Sequence, residues 1–579
     1  MNSAEAHLYK FDDFCLDAGK RLLFRTGVSV PLSPKVFETL LHLVQSHGRI
    51  VGKDELMRAV WPDTAVEENN LNQNISTLRR VLGESRGENR YIATIPGRGY
   101  QFVPTVEVSA SHSRTAACVT VAVLPFENLS ANPEREYLAD GLTEEVIATL
   151  GQIDPAGLSV IGRTTMIAYK HTRSTLAQIG RELGADYLVE SSMRSEGGHL
   201  RIASRLIRLP DQVQVWSMSY DSEPTSILEF QREISTAIAE RVRVQLPPER
   251  LSMIARRQTR NPEAYDLYLR GRYFWNQLSP ATTRRATEFY AQATSLDPSY
   301  ALAWSGLADA YTASPINGDA APEKVWPLAR EAANRATAAD PNLAECHVSD
   351  GFVKFWLDWE WPSSVAAFRR AIHLNPQYGL AHRLLGIVLS HMDARKEAQK
   401  AVQRAIELDP LLAGHHALAS QVAFAGRDYA AAEQFAKQAI TVDPEFWIGH
   451  MQLGQAYEQL GEIDLALDAL NTAARLSGGN SKPISLRGYM LAKAGRRQEA
   501  CEVLAMLEST AREHYVPPYA QALISAGLGK TEESLDWLDR ALQVHDVHLS
   551  FLPVDPKWDS LRSHPRFVDV LERCNFNKS

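Results

Sequence analysis

A run of amide and guanidinium side chains at residues 69–80, NNLNQNISTLRR, is the part of this sequence best suited to hydrogen-bond chemistry. Leu71, Ile75, Leu78 and Leu82 recur at the spacing of one face of an α-helix. The opposite face and the flanks of this stripe carry Asn69, Asn70, Asn72, Gln73, Asn74, Ser76, Thr77, Arg79 and Arg80. The pattern predicts a helix that buries one side and presents amides, hydroxyls and guanidinium groups on the other.

Amide and guanidinium groups form paired hydrogen bonds with the edges of adenine and guanine in the major groove of DNA. Asparagine is a mediocre helix former, because its amide competes for backbone hydrogen bonds. Four asparagines in one helix therefore indicate either a reading surface or a solvated face whose asparagines cap the amino end. The neighbouring elements help to separate these alternatives.

Two helices are predicted before this segment and a β-hairpin after it. The stretch LSPKVFETLLHLVQSHGRIVGKDELMRAVWP indicates helices at about residues 34–46 and 53–60, with a stop at Gly48 between them. The stretch RYIATIPGRGYQFV alternates around a Gly-Arg-Gly turn at residues 97–99, which is typical of a hairpin. Three helices followed by a hairpin predict a winged helix-turn-helix.

Residues 8–104 resemble the DNA-binding domain of OmpR/PhoB-type response regulators, and the hairpin is more similar to that of CadC-type members. The matching landmarks are Leu32, Ser33, Pro34, Phe37, Leu40, Leu41, Gly48, Val51, Glu55, Leu56, Trp61, Ile75, Leu78, Arg79, Leu82, Gly83, Tyr91, Ile92, Pro96, Gly97, Arg98, Gly99 and Tyr100. The resemblance implies that the third helix enters the major groove, that the wing meets the minor groove, and that four amino-terminal strands brace the domain. It also implies that the polar residues of the third helix contact DNA, together with Arg98 at the wing tip.

The charge balance of this region is modest for a DNA-binding domain. Residues 1–108 hold 13 Lys/Arg and 13 Asp/Glu, and only residues 69–103 are basic, with five Arg against two Glu. Contacts to phosphates supply much of the affinity for DNA, so one copy with this charge balance should bind weakly. We therefore expect the protein to bind DNA as a homodimer or cooperatively. Response regulators act in phosphorelay signal transduction through a preceding receiver domain. Only about seven residues precede this domain, so we expect no receiver and an input from the carboxyl side.

The middle region alternates predicted strands and helices. VTVAVLPFENLS, from Val119, is a buried strand leading into a loop, and an amphipathic helix follows from Tyr137. The region resembles the α/β domain at the amino terminus of TolB, a family whose ligand is not generally established. Glu127, Asn128 and Asp140 could line a site there, or could be loop polar groups and a helix cap.

The third region carries a repeating Asp-Pro or Asn-Pro mark. The prolines at 298, 341, 376, 410 and 444 are separated by 43, 35, 34 and 34 residues. A period near 34 residues, with WSGLADAY-like segments between the marks, is that of the tetratricopeptide repeat. We expect about eight repeats at residues 261–545, forming an all-α solenoid that binds a protein partner in its groove.

Composition and motifs bear on the remaining classes. The net charge of −8 excludes a globally basic nucleic-acid binder, and five scattered cysteines without a CxxC pair favour a reducing compartment. No signal peptide, membrane segment, zinc motif, complete phosphate loop or catalytic fingerprint is apparent. We therefore expect no cofactor, no metal and no enzyme activity, and we take His415, His416, His545 and His548 as surface residues.

The fold class expected is multidomain, with an α+β winged helix-turn-helix, an α/β middle domain and an all-α tetratricopeptide solenoid. The expected boundaries are 1–108 for the winged helix, 109–118 for a linker, 119–248 for the α/β domain, 261–545 for the repeats and 546–579 for a carboxyl-terminal tail. The function expected is that of a cytoplasmic, one-component bacterial transcription regulator that binds double-stranded DNA without a membrane. The alternative is an interaction scaffold whose winged helix binds protein, with RNA polymerase as one candidate.

Overall fold

The computed structural model describes residues 7–18, 22–25, 28–30, 32, 34–61, 68–84, 88–110, 119–130, 135–154, 157–170, 172, 175–196, 199–222, 227–242, 259–277, 279–317 and 320–576. The chain forms two compact units. The first comprises residues 1–120 with the short segments 174–186 and 209–212, and the second comprises the remainder.

The described residues between 7 and 110, which make up most of the first unit, form a five-stranded and a three-stranded sheet with three helices. The elements are β1 (His7–Phe11), β2 (Phe14–Asp17), β3 (Leu22–Arg25), β4 (Val28–Val30), α1 (Pro34–Gln45), β5 (Ile50–Val51), α2 (Lys53–Val60), α3 (Glu68–Val81), β6 (Ile92–Ile95), β7 (Gly99–Phe102) and β8 (Glu107–Ala110). The strand orders are β4-β3-β2-β1-β8 and β5-β7-β6. The helices, the hairpin and the four amino-terminal strands are those expected from the sequence.

A single core joins these elements. Aromatic side chains of β1, β2 and β7 meet at right angles or stacked, with the Phe11 and Phe102 ring centroids 4.9 Å apart. Leu40 of α1 and Leu56 of α2 are completely buried in the same cluster. Edge-to-face aromatic contacts add to the hydrophobic stabilisation of such a core.

The predicted linker begins too early. Strand β8 pairs antiparallel with β1, so that Ser109 lies opposite Leu8 and Ala110 lies opposite His7. Residues 109–110 are therefore part of the sheet rather than of a linker. A fragment that ended at residue 108 would remove half of this edge strand.

The middle of the chain forms a mixed six-stranded sheet. Its strands are β9 (Val119–Val123), β10 (Glu127–Asn128), β11 (Leu158–Val160), β12 (Tyr187–Glu196), β13 (His199–Arg208) and β14 (Val213–Ser222). The order is β11-β9-β12-β13-β14, with β10 also pairing β12, and the pairs β9–β12 and β10–β12 are parallel. Helices Glu136–Ile153, Arg163–Ile167, Leu176–Leu183 and Ile227–Arg241 accompany it.

The described part of residues 262–543 forms eight successive helix pairs. The pairs are Pro262–Trp275 with Pro280–Leu296, Ala301–Asn317 with Pro322–Ala339, Ala344–Val353 with Trp361–Leu374, Gly379–His391 with Arg395–Leu408, Ala413–Ala425 with Tyr429–Val442, Trp447–Leu460 with Ile463–Leu476, Ser481–Lys493 with Arg497–Thr510, and Pro518–Gly527 with Thr531–Gln543. A π-helical turn, Lys354–Asp358, extends the first helix of the third pair. This array is the all-α repeat region expected from the sequence.

The Asp-Pro marks end helices, and their carboxylates or amides build the turn that follows. Oδ1 of Asp297 accepts from the backbone N–H of Ser299 at 2.9 Å. Asp340, Asn375 and Asp443 accept in the same way from the residue two positions on. An Asx turn of this kind satisfies a backbone donor while proline prevents the helix from continuing.

The carboxyl-terminal segment is folded against the repeats rather than forming a tail. It contains 3₁₀ helices Val547–Phe551 and Pro556–Leu561 and the helix Pro565–Arg573. Trp558 is completely buried, and its indole N–H donates to the Tyr519 hydroxyl at 2.9 Å. Phe551 packs against His391, and Lys557 contacts Gln455. This segment therefore covers part of the first helices of the fourth, sixth and eighth pairs, a surface that the sequence led us to expect to be open to a partner.

The four histidines taken as surface residues are buried or half-buried. His415, His416 and His548 are 2%, 5% and 3% exposed, and His545 stacks between Trp326 and Trp359. The expectation was wrong because these residues lie where helix pairs and the carboxyl-terminal segment meet. No group of three metal-ligating side chains occurs among the described residues.

Candidate nucleic-acid interface

Helix α3 has the buried stripe that its sequence predicts. Leu71, Ile75 and Leu78 are 0%, 2% and 0% exposed, and all belong to the core of the first unit. This burial fixes the rotation of the helix about its axis, because the side chains three and four residues apart share one face. The polar residues between them therefore lie on or beside the outward face.

The structure places most of the predicted reading residues at the surface. Asn70, Asn72, Gln73, Ser76 and Arg80 are exposed, and Thr77 is half-buried. Asn69 lies within α3, but its side chain is outside the described residues. The exposed amide, hydroxyl and guanidinium groups form one polar surface along the helix, which we call the reading face.

Two predicted site residues, Asn74 and Arg79, make hydrogen bonds inside the domain. The amide nitrogen of Asn74 donates to the carbonyl of Lys35 at 3.1 Å and to Oγ1 of Thr39 at 3.0 Å. These bonds fix α3 to α1. Asn74 is half-buried, and these two hydrogen bonds satisfy the donors of its amide inside the domain. It therefore positions the helix rather than presenting itself to a ligand.

Arg79 ties α3 to the hairpin in a similar way. Its Nη2 donates to the Ile92 carbonyl at 2.8 Å and to Oγ1 of Thr94 at 2.7 Å. Its Nε lies 3.9 Å from Oε2 of Glu84, whose side chain is completely buried. With two hydrogen bonds and a carboxylate nearby, this guanidinium is held within the domain, whereas Arg80 is exposed.

The hairpin is a second part of the surface. The hydroxyl of Tyr100 donates to Oδ1 of Asn72 at 2.9 Å, so the wing and the helix are joined through a predicted site residue. Gly97 and Gly99 have φ values of 71° and 133°. A Cβ on Gly99 would lie 2.0 Å from the Val51 carbonyl oxygen, so only glycine fits there. The exposed Arg98 between them is held at the tip of the wing.

Two functional roles were missed by the sequence reasoning. Tyr100 and Glu84 orient the reading face without belonging to it, because one fixes Asn72 and the other accepts from the backbone N–H of Ile92 at 3.4 Å. The alternating hairpin pattern placed Tyr100 on a strand but did not show its partner. No comparable local signal marks Glu84.

The turn between α1 and α2 is braced by an exposed ion pair. Nη2 of Arg49 lies 2.5 Å from Oε1 of Glu55, and the hydrogen bond from this guanidinium lowers the pKa of Glu55 to about 2. Nε2 of His42 also lies 3.4 Å from the same carboxylate. Because Arg49 is paired with Glu55, its guanidinium is not a free cation of the reading face.

The candidate site of the middle domain is occupied by internal contacts. Asn128 donates to Glu136 at 3.1 Å and accepts from the backbone N–H of Ser130 at 3.0 Å. Oδ1 of Asp140 accepts from Lys170 at 2.6 Å. Glu127 is exposed. The structure does not bring these residues together as one site, and it favours their reading as loop and helix-positioning groups.

The arrangement of three helices with a braced hairpin defines the first unit as an OmpR/PhoB-type winged helix, a DNA-binding domain. Residues 27–102 match the family model "Transcriptional regulatory protein, C terminal". Residues 116–237 match "HilA/YgeH-like transcriptional regulator, second domain", and residues 449–480 match a tetratricopeptide repeat.

Curated relatives share parts of this organisation. The transcriptional regulator HilA of Salmonella typhi is 26% identical over 407 residues, covering 69% of this chain and 70% of that protein. A protein of Rhizobium meliloti named putative adenylate cyclase 3 is 33% identical over 188 residues, covering 32% of each chain. The solved DNA-binding domain of E. coli CadC is 27% identical, covering 18% of this chain and 100% of that one, with a TM-score of 0.17.

A helix that crosses a membrane must be long and apolar enough to span the hydrocarbon core. Within the described residues, no helix is both long and apolar enough to span a membrane.

Proposed function

We propose that this protein is a one-component regulator whose winged helix reads double-stranded DNA. The family models and the relatives support a DNA-binding bacterial transcription regulator. The observation that carries the proposal is the reading face of α3, with its exposed amides and guanidinium group. The hydrogen bond between Tyr100 and Asn72 joins this face to the hairpin wing, which has the exposed Arg98 at its tip. A rigid helix and wing are preorganised to contact adjacent grooves of one duplex.

The ten candidate residues divide into two roles. The contacting residues are Asn69, Asn70, Gln73, Ser76, Thr77, Arg80 and Arg98. Asn74 and Arg79 position the helix, and Asn72 does both, because its side-chain Oδ1 accepts from the Tyr100 hydroxyl while the residue remains exposed. Arg80 and Arg98 make no hydrogen bond or ion pair with any described residue, so both guanidinium groups are available for phosphates or guanine.

Two copies should bind together. The winged-helix region carries equal numbers of acidic and basic residues over residues 1–108, so a single copy gains little from phosphate neutralisation. A homodimer doubles the number of contacts. Because a transcription regulator must reach chromosomal DNA, we also propose a cytoplasmic location.

The remainder of the chain is proposed to be a sensor or docking module. Tetratricopeptide repeats bind proteins, so we expect a protein partner on the array, with RNA polymerase as one candidate. Because the carboxyl-terminal segment covers part of the first helices, that partner must use the surface left open or displace the segment. We propose no enzyme activity, since the match to the relative named putative adenylate cyclase covers about a third of each chain, while the family models matched at residues 27–102 and 116–237 describe transcription regulators.

The boundaries proposed for these modules follow the sequence, with one change. The winged helix occupies residues 1–110 so as to include strand β8, and the α/β domain occupies 119–248. The repeats occupy 261–545, and the carboxyl-terminal segment 546–576 is an integral part of the array.

The test uses the full chain and duplexes selected by it from a random pool. Arg80→Gln and Arg98→Gln should each weaken binding, by about 1–3 kcal/mol where the lost contact is to guanine. For a lost phosphate contact, the salt dependence should fall by about 0.9 in slope. Binding is measured by fluorescence anisotropy across a series of salt concentrations.

Arg90→Gln is the matched control, because it removes the same charge from an arginine that is paired with Asp12 at 3.1 Å. Its affinity should remain at that of the wild type. Arg79→Gln should instead lower the free energy of unfolding by about 1–3 kcal/mol, because the Ile92 carbonyl and Glu84 lose a partner. Unchanged DNA affinity in both Arg80→Gln and Arg98→Gln would favour the protein-binding alternative, which the relatives do not support.

A further inference from the structure

Asp409, the aspartate of the Asp-Pro mark that ends the fourth helix pair, has different hydrogen-bond partners from those of the other marks. The carboxylate of Asp409 accepts from the backbone N–H groups of Thr164 at 3.3 Å and Thr165 at 3.2 Å. It also accepts from Oγ1 of Thr165 at 2.9 Å. Both threonines belong to the α/β domain, so a group that elsewhere closes a repeat turn here fixes the repeats to the α/β domain.

Two further contact sets join the same domains. The amide of Gln377 donates to the Leu158 carbonyl at 2.6 Å and accepts from the Val160 N–H at 3.3 Å, completing the edge strand β11. Glu144 accepts from Arg272 and from Asn276 and lies 3.5 Å from Nε of Arg163. These contacts border a cavity of about 770 Å³ whose walls come from both domains.

Two side chains that line this cavity, Arg383 and His415, have a buried nitrogen without a hydrogen-bond partner in the described chain. Arg383 makes no hydrogen bond or ion pair with any described residue, and its Nε is shielded from water. Burial lowers the pKa of its guanidinium to about 10. His415 is 2% exposed, and its Nδ1 has no hydrogen-bond partner in the described chain. Arg383 is half-buried, and the Asp409 carboxylate acts on it from beyond ion-pair distance, so its partly desolvated charge has no direct counter-ion among the described residues.

The backbone around these side chains is shaped to bring them together. A Cβ on Gly414 would lie 2.6 Å from Nη1 of Arg383, and a Cβ on Gly379 would lie 3.0 Å from Nε2 of His415. Gly414 is in the first turn of the helix Ala413–Ala425, whose amino end has Leu412 in place of a capping side chain. The guanidinium thus lies against the positive end of a helix dipole, where a cation is unfavourable unless an anion joins it.

Several acidic groups around the cavity have other partners. Glu144 is paired with Arg272 and Arg163, Asp140 with Lys170, and Asp409 with the two threonines. No carboxylate of the described chain lies within ion-pair distance of Arg383.

We propose that a small oxyanion, a phosphate or a carboxylate, binds in this cavity between Arg383, His415 and the amino end of the helix Ala413–Ala425. The volume is within the range typical of small-molecule sites, about 300–1,000 Å³. The proposal deepens the sensor role given to the α/β domain and the repeats under the proposed function, since such a ligand would join the two. Charge-assisted hydrogen bonds from a guanidinium and a helix end are the usual means of holding oxyanions.

The test is calorimetric titration of the full chain with inorganic phosphate and, separately, with citrate, against chloride at constant ionic strength. The two titrations distinguish a phosphate ligand from a carboxylate ligand. Arg383→Gln should weaken binding about tenfold or more, because it removes the charged donor. Arg370→Gln, which removes the same charge from an exposed position on another helix of the array, should bind as the wild type does.

Gly414→Ala supplies a second variant that keeps the net charge. Its methyl group displaces the flexible end of Arg383 and should also weaken binding, while alanine suits the helix. Thermal unfolding without oxyanion gives a further readout: Arg383→Gln should raise the melting temperature, because an uncompensated cation is removed, whereas a merely structural arginine would lower it.

Failure of both anions to bind the wild type, or equal affinity in Arg383→Gln, would overturn the proposal. DNA binding is measured on the same preparations. A chain that binds phosphate or citrate but no DNA would contradict the proposed function alone, and a chain that binds DNA but neither anion would contradict this inference alone.

Discussion

Lys557 is a cation that the fold buries completely, and its removal tests whether the carboxyl-terminal segment is integral to the repeat array. Its Nζ lies 3.0 Å from Oδ1 of Asp555, 3.0 Å from Oε1 of Gln455 and 3.5 Å from Oε2 of Glu458. The Lys557 side chain is 0% exposed, and those of Asp555 and Glu458 are 10% and 8% exposed. The ammonium therefore joins the segment to the helix Trp447–Leu460.

Lys557→Met keeps the length of the side chain but leaves two carboxylates facing each other where water is excluded. Removing one partner of a buried ion pair costs about 3–5 kcal/mol, because the remaining charge is uncompensated. Lys437→Met is the matched control, since Lys437 is exposed and lies 2.5 Å from Glu433. An exposed pair of this kind contributes about 0.2–1 kcal/mol.

Urea unfolding followed by circular dichroism compares the two variants, and limited proteolysis reports whether residues 546–576 detach. The double variant Lys557→Met/Glu458→Gln should recover part of the loss. Burial already raises the pKa of Glu458, and without Lys557 it should rise further. A carboxyl group whose folded pKa is raised loses its stabilisation as pH rises through that value, so the deficit should be smaller near pH 5 than near pH 8.

Equal unfolding midpoints for Lys557→Met and Lys437→Met would show that Lys557 does not hold the segment on the array. Protection of the segment from proteolysis in Lys557→Met at every pH would show the same.

Two further predictions concern helix packing, at one glycine of the array and one of the α/β domain, and the titration of a buried carboxyl group in the array. In Gly454→Ala the new Cβ would lie 2.7 Å from Cγ of Leu470, so overpacking should cost about 1–3 kcal/mol. In Gly151→Ala the nearest atom to the new Cβ would be Oε1 of Gln377 at 4.0 Å, so this change should instead raise the free energy of unfolding by about 0.5–1 kcal/mol. Urea unfolding in which both variants changed the free energy in the same direction would contradict this. Burial raises the pKa of Asp309 to about 7. Its contribution to the free energy of unfolding should therefore fall by about 1.4 kcal/mol per unit as pH rises from about 4 to about 7, and then level off. Thermal unfolding of Asp309→Asn should lack this pH dependence over the same range. Equal pH dependence of stability in the variant and the wild type would contradict the prediction.

Most element boundaries of the winged helix could be predicted from local patterns alone. The apolar stripe of α3 fixed which side is buried, and the glycines of the hairpin turn marked positions with positive φ. The Asp-Pro and Asn-Pro marks predicted helix ends, because proline stops the helix and, in four of the five marks, the side chain before it closes the next turn. Such features depend on neighbours in sequence, so the sequence determines them directly.

The partners of polar side chains were decided only by the tertiary structure. Asn74 and Arg79 have the same residue types as their exposed neighbours, yet they bond to Thr39 and Thr94 because of where α1 and the hairpin lie. The histidines predicted to be at the surface are buried or half-buried for the same reason. The carboxyl-terminal segment, expected to be a tail, packs against helices that nothing in its own sequence identifies.

Asp409 shows the limit most directly. Its sequence context is the same Asp-Pro mark as in the other repeats, and nothing beside it in the chain predicts a bond to Thr165, 244 residues away. Local periodicity and turn chemistry determine which helices form and how they end. The surfaces that meet after folding determine which charges are paired, because desolvation and hydrogen bonding act on contacts between distant segments rather than on residue type.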